Sequence, residues 1–273
     1  IMAGLVGSEM CIRDRTLSSS SSDSYYSGLS DNVTVTTTDN DTVGLVLSGT
    51  NATVSENGTT STFTVRLNSA PTANVTLSLS DNDTTEVLAS PTTLTFSSGN
   101  WSTSQVITLT GVDDNVSDGS QSTLLTLTPS SSGDSKYNSS SLAQSLTTVT
   151  TDNDTVGLVL SKTTATLSES GTTDNFSVVL TSEPTATVTL TLSDNDSTEV
   201  SATPNTLSFG SGNWSVAQWI TLTGKDDNVS DDNQTTLLTL TPSGGDYGSV
   251  SAQTLTVTTV SYTHLTLPTI PQV

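Results

Sequence analysis

The sequence repeats itself at an offset of 113 residues, and that register constrains every other reading of it. The run TDNDTVGLVLS occurs twice, its first acids being Asp39 and Asp152. The same offset joins Asp81 to Asp194 in LSDND, Trp101 to Trp214 in GNWS, Asp113 to Asp226 in DDNVSD and Pro129 to Pro242 in LTLTP. No gap is needed between Asp39 and Pro129. A period of this size is a whole domain rather than one coil of a solenoid. A third copy shows in part: residues 19–41 match the stretch that ends at Asp154, down to the closing Asp-Asn-Asp. The expected organisation is therefore the last strand of a preceding repeat over 16–41, a first repeat over 42–154, and a second over 155–259 that stops before its own closing triplet. This spacing reads as a section of a longer tandem array.

Within each repeat the apolar residues alternate. TFTVRLN puts Phe63, Val65 and Leu67 on one side and Thr64 and Arg66 on the other; NVTLSLS does the same with Val75, Leu77 and Leu79. Period two is the mark of a half-buried strand. Thr and Val favour a pleated backbone because their branched Cβ restricts χ1. No segment sustains a helical period, and Gly, Asn, Asp, Ser and Pro interrupt the strands at short intervals. The fold class expected is all-β: tandem seven-stranded, Ig-like antiparallel sandwiches. The seven strands of the first repeat are VGLVLS with NATVSE, TFTVRLN, NVTLSLS, EVLASPTTLTF, QVITLTG, STLLTLTP and SLTTVTT.

Two terminal segments read differently. GLVGSEMCIRDR near the start and VSYTHLTLPT near the end resemble translated sequencing-library adapters, so 1–15 and 260–273 are expected to be adapter-derived. A signal peptide does not fit the start, because its apolar stretch is short and Glu9, Arg13, Asp14 and Arg15 follow at once. Setting these ends aside removes the only cysteine, Cys11, and the only histidine, His264. Four cations then remain: Arg66, Lys136, Lys162 and Lys225.

The net charge of −21, with 27 acidic residues, excludes ready binding to nucleic acid or to an anionic membrane surface, both polyanions. Only 12% of the residues are charged, yet the acids crowd onto a few turns. If consecutive strands alternate in direction, alternate turns fall at one end of the sandwich. Glu56 lies in the first such turn, Asp81 and Asp83 in the next, Asp113, Asp114 and Asp118 in the third, and Asp152 and Asp154 directly after the last strand. The other end carries Asp134 alone. Carboxylates gathered at one tip repel unless neutralised. Calcium takes six to eight oxygens, which Asp, Asn and turn carbonyls supply, whereas zinc asks for His or Cys. Ca2+ is therefore the expected ion. The plainer reading, that Asp and Asn merely build turns, suffices for any one of these groups alone. An EF-hand is not expected, since Val116 and Leu125 occupy ligand positions of that loop.

At these residues the sequence resembles the Calx-beta repeat family and the related cadherin-like repeats of bacterial surface proteins. The shared features are the Glu-x-Gly steps SENGT and SESGT, the acidic turn after QVITLTG, and the closing acidic triplet after TVTT. The resemblance implies a seven-stranded Ig-like sandwich, calcium at one tip, and extracellular adhesion or spacer roles. It implies Glu56, Asp81, Asp113, Asp114 and Asp152 as ligands, with Glu169, Asp194, Asp226 and Asp227 as their counterparts; Asp196 and Asp231 complete the second set by position.

The expected function is a calcium-stiffened stalk, secreted or on a cell surface, whose partners are adjacent repeats and surface glycans or proteins. The alternative is a glycan-binding module of a secreted enzyme, for which an outward Trp219 is the only aromatic on offer. Catalysis is not expected, because without Cys11 and His264 there is no nucleophile–base pair. Trp101 and Trp214 are expected to plug the sandwich ends.

Overall fold

The computed structural model describes residues 12–194, 196–226, 229 and 232–261. Segments 1–11 and 262–273 lie outside the described residues, as do the expected ligands Asp227 and Asp231. Strand β1 (Ile12–Ser18) pairs antiparallel with β2 (Ser30–Thr36). Residues 12–15, read above as adapter-derived, form part of β1. Every residue of β2 is exposed, since the hairpin buries neither of its faces. The rest of the described chain forms two compact units, each a β-sandwich, with no α-helix among the described residues.

The first sandwich contains β3 (Leu45–Leu47), β4 (Asn51–Ser55), β5 (Thr60–Leu67), β6 (Val75–Asp81), β7 (Val87–Ser90), β8 (Thr93–Phe96), β9 (Gln105–Gly111), β10 (Gln121–Ser130) and β11 (Gln144–Thr151). One sheet runs β4-β11-β10-β6-β8 and the other β3-β5-β9-β7. Seven strands become nine because the first and fourth each divide between the two sheets. Segment β3 pairs with β5, while β4 crosses to pair in parallel with β11. Likewise β7 pairs with β9 and β8 with β6. The break in the fourth strand falls at Pro91, which has no N–H to give a ladder.

The alternation read from sequence closes the core. Phe63, Val65 and Leu67 of β5, Val75 and Leu77 of β6, Ile107 and Leu109 of β9, and Leu125 and Leu127 of β10 are all buried in one cluster. Removing each such side chain from water contributes about 1.5–3 kcal/mol. Trp101 packs against this cluster from its edge, and its carbonyl accepts from Leu67 N at 2.9 Å. The end opposite the acidic turns is plugged by Tyr137, fully buried, whose hydroxyl donates to the Ser69 carbonyl (2.8 Å) and accepts from Ser69 N (3.2 Å). Asp134 is nearby in sequence and is buried for a structural reason: its carboxylate accepts from Thr72 N (2.8 Å) and Lys136 N (3.0 Å).

The second sandwich repeats this plan with β12 (Leu158–Leu160), β13 (Thr164–Ser168), β14 (Thr173–Leu180), β15 (Val188–Asp194), β16 (Val200–Thr203), β17 (Thr206–Phe209), β18 (Gln218–Gly224), β19 (Gln234–Ser243) and β20 (Gln253–Val260). Its sheets run β13-β20-β19-β15-β17 and β12-β14-β18-β16. Tyr247 and Ser182 repeat the plug of Tyr137 and Ser69, at 2.8 and 3.0 Å. The last strand extends to Val260, whose carbonyl accepts from Glu169 N (3.3 Å) as Thr151 accepts from Glu56 N (3.2 Å). Val260 thus takes the place of Thr151, and Ser261 follows where Asp152 follows in the first copy.

Candidate metal centre

The end that carries the acids is built by one glycine-dependent turn and one glycine-dependent close approach. In the turn after β4, Gly58 has φ +82° and its N–H donates to Ser55 O at 3.1 Å. That left-handed conformation costs a non-glycine residue about 1–2 kcal/mol, which accounts for the Glu-x-Gly spacing. At the end of β9, a Cβ on Gly111 would stand 2.1 Å from the Ser55 carbonyl oxygen. Only glycine lets the end of β9 lie against the end of β4. Gly111 N donates to Thr59 O (3.1 Å), and the next residue, Val112, donates to Glu86 O (3.0 Å). The Thr150 hydroxyl also donates to Glu86 O, at 3.2 Å. The turns holding Glu56, Glu86 and Asp113, together with the exit of β11, therefore converge.

Within the β9–β10 loop, Asp114 Oδ1 accepts from Val116 N at 2.7 Å. Asp152 braces the same loop: Oδ2 accepts from Gly119 N (2.8 Å), and Oδ1 accepts from Asp154 N (2.7 Å). The Ser117 hydroxyl reaches the Asp154 carbonyl at 3.3 Å. The result brings one carboxylate oxygen each from Glu56, Asp114 and Asp154 within 4.8 Å of one another. Glu56 is 1% exposed, and the two aspartates are half-buried.

The remaining expected ligands of the first repeat lie outside this trio. Asp152 spends both oxygens on backbone N–H groups and so positions the loop. Asp83 caps its own turn, accepting from the Thr85 hydroxyl (2.5 Å) and N–H (3.1 Å). Asp81 ends β6, paired in register with Leu125. Asp113 and Asp118 are exposed in the β9–β10 loop.

In the second sandwich Glu169 is buried like Glu56, Gly171 has φ +84°, and a Cβ on Gly224 would meet Ser168 O at 2.3 Å. The scaffold is thus copied. Asp194 and Asp226 are exposed. The Thr198 hydroxyl and N–H, at 2.6 and 3.1 Å, hold the Asp196 carboxyl below its ordinary pKa. Lys225 stands where the first copy has Val112; its N donates to Glu199 O (2.8 Å) and its Nζ to Ser197 O (2.6 Å). Asp232 takes the place of Gly119 and keeps the positive φ, +64°.

Sequence reasoning missed Glu86 and Glu199, buried at 5% and 2% exposure in the same turns. Their signal was present: each ends a DNDxTE run conserved between the two copies at the common offset. It was also silent on Tyr137 and Tyr247 as plugs. Trp219 faces outward as expected, 60% exposed, whereas Trp101 and Trp214, expected as plugs, are only partly buried against the core edge and the fully buried plugs are Tyr137 and Tyr247.

A family model for the Calx-beta domain matches the chain twice, at residues 38–155 and 151–262. A comparison with curated proteins finds no match. Among solved structures, the chain is similar to CBD12 from CALX1.2, with 14% identity and TM-score 0.35 over 79% of this chain and 99% of that one. The calcium binding domain CBD12 of CALX1.1 aligns at 16% identity and TM-score 0.37, over 78% and 98%. Domains 4 and 5 of the S-layer protein SbsC align at 10% identity and TM-score 0.31, over 67% and 76%. The two family matches, laid end to end over the two sandwiches, show that the chain belongs to the Calx-beta domain family.

Proposed function

We propose that the chain is a non-catalytic, calcium-binding spacer of an extracellular or cell-surface protein, stiffened where one repeat passes into the next. The observation that carries this reading is the Glu56–Asp114–Asp154 trio. Its donors are all carboxylate oxygens, the hard ligands that calcium prefers. Two ligands of one calcium ion lie at most about 5 Å apart, given ion–oxygen distances of ~2.3–2.6 Å. A spread of 4.8 Å satisfies that limit. Bound there, calcium supplies positive charge that offsets the mutual repulsion of the three carboxylates. Backbone carbonyls of the turns and Asp113 or Asp118 are the candidate further ligands. Asp154 is followed at once by Thr155 of the second repeat, so an ion held by Asp154 restrains the start of the connection.

In this reading rigidity comes from bound metal rather than from disulfides. No helix among the described residues is long and apolar enough to cross a membrane. Partners in this reading are adjacent repeats. The test is thermal unfolding of the full chain in calcium, in magnesium and in chelator. A ligand that binds only the native state stabilises it by about 2.7 kcal/mol at a hundred times Kd. A calcium-specific rise in Tm supports the reading; identical curves in calcium and chelator refute it.

A further inference from the structure

We propose that Asn57 is a site of spontaneous deamidation, which converts the turn between β4 and β5, the turn that carries Glu56, into an isoaspartyl turn. Asn57-Gly58 is the only Asn-Gly step in the sequence. Asn57, Gly58, Thr59 and Thr60 are all exposed. Gly58 has φ +82°, and a Cβ placed on it would meet nothing within 4 Å, so no side chain shields its backbone nitrogen. The turn is held by backbone groups: Gly58 N donates to Ser55 O at 3.1 Å and Glu56 N to Thr151 O at 3.2 Å. The Asn57 amide takes no part, making no side-chain hydrogen bond among the described residues.

Comparison of the two copies separates what the turn needs from what the amide adds. The counterpart in the second sandwich is Ser170-Gly171. There Gly171 has φ +84° and its N donates to Ser168 O at 3.2 Å. The two turns share one backbone, which glycine builds and the amide does not. Other asparagines are held or crowded. Asn100 and Asn213 brace their loops, each Oδ1 accepting a backbone N–H, from Ser97 (2.6 Å) and Gly210 (2.7 Å). Asn138 is exposed like Asn57, but Ser139 follows it, and the Ser139 side chain crowds the nitrogen that would attack.

The chemistry is a ring closure followed by hydrolysis. The Gly58 backbone nitrogen attacks Asn57 Cγ. A bond forms between them, the Cγ–Nδ2 bond breaks, and ammonia leaves with the proton of the Gly58 N–H. Water then opens the imide ring. Opening at Cγ restores the main chain and leaves aspartate; opening at the main-chain carbonyl leaves isoaspartate, with one extra methylene in the backbone. Neither step needs an oxidant or a reductant. Closure requires Gly58 N to release Ser55 O, so its rate follows local opening of this exposed turn. With the extra methylene, the bond from Gly58 N to Ser55 O cannot re-form in its present register. A new negative charge also stands beside Glu56, one of three carboxylates within 4.8 Å. The end of β9 packs on the Ser55 carbonyl at Gly111, so the disturbance reaches the first sandwich.

The test is peptide mapping by mass spectrometry of the full chain, held in chelator at mildly alkaline pH, with protein isoaspartyl methyltransferase as the probe for isoaspartate. Asn57 should deamidate about tenfold faster than Asn138, and faster still as pH rises, because the attacking nitrogen must lose its proton. Asn57→Ser, which copies the second turn, should fold like the wild type and acquire no isoaspartate there. After incubation the wild type should melt at a lower temperature in chelator than when fresh, whereas Asn57→Ser should not change. Every reading is taken in chelator, so the outcome is independent of whether calcium binds. Two results overturn the proposal: Asn57 is modified no faster than Asn138, or protein converted at Asn57 melts like fresh protein.

Discussion

Replacing Glu56 by Gln should have opposite effects with and without calcium. Three carboxylate oxygens lie within 4.8 Å. At an effective dielectric constant of about 20, two unit charges at that separation repel by roughly 3.5 kcal/mol. Gln keeps the shape of Glu56 and removes two of the three repulsive pairs. Asp114 and Asp154 are half-buried, so solvent screens both pairs and a relief of about 2 kcal/mol is the reasonable scale. For a sandwich of this size that is a rise of about 8 °C in Tm in chelator. Calcium should then stabilise the variant less than the wild type, because the amide oxygen carries no charge; a tenfold weaker site forfeits about 1.4 kcal/mol of the gain. Scanning calorimetry of both proteins in both conditions reads all four values. If Glu56→Gln lowers Tm in chelator, or if calcium raises the variant as much as the wild type, the trio is not a repelling cluster awaiting a cation.

Gly111→Ala drives a methyl into the Ser55 carbonyl and should destabilise the first sandwich by about 1–3 kcal/mol, read as a lower denaturant midpoint; Gly224→Ala should do the same to the second. Tyr137→Phe leaves the buried Ser69 backbone groups without their hydroxyl partner and should cost about 1–3 kcal/mol in urea unfolding. Burial raises the Asp134 pKa, but the N–H groups of Thr72, Lys136 and Tyr137 outweigh it and hold the carboxyl below 3.8. The folded-state value is therefore depressed, so its stabilisation is present above 3.8 and lost as pH falls through the folded value. Asp134→Asn should consequently destabilise at pH 7, with a penalty that shrinks toward strongly acidic pH in parallel melts. Calcium binding should be weaker at the second tip than at the first, because Ser261 stands in the place of Asp152; equal occupancy in a titration monitored separately at Glu56 and Glu169 refutes this.

The strand pattern was legible because burial leaves a period-two trace. Phe63, Val65 and Leu67 had to share a face whatever the topology, and the copied segment had to form a copied domain. The split strands were not legible. EVLASPTTLTF reads as one strand; Pro91 marks where it breaks, but nothing local says that Val87–Ser90 and Thr93–Phe96 pair with different sheets. Only the partners β9 and β6 decide that. The last strand of the second repeat shows the same limit: TVTT suggests an end at Thr259, but parallel pairing with β13, Ser168 opposite Val260, and the bond from Glu169 N carry the strand to Val260.

The acids divide in the same manner. Sequence alone determined which turns carry carboxylates and that alternate turns share an end, because both follow from order along the chain. It could not rank them, because carboxylates that look alike in sequence take different work in the fold. Asp152 braces the β9–β10 loop through the N–H groups of Gly119 and Asp154, and Asp83 holds Thr85 through one oxygen. Glu56, Asp114 and Asp154 meet because Gly111 admits the Ser55 carbonyl against its Cα. That contact joins residues 56 positions apart in sequence, and such approaches are set by three-dimensional packing, which no local pattern encodes.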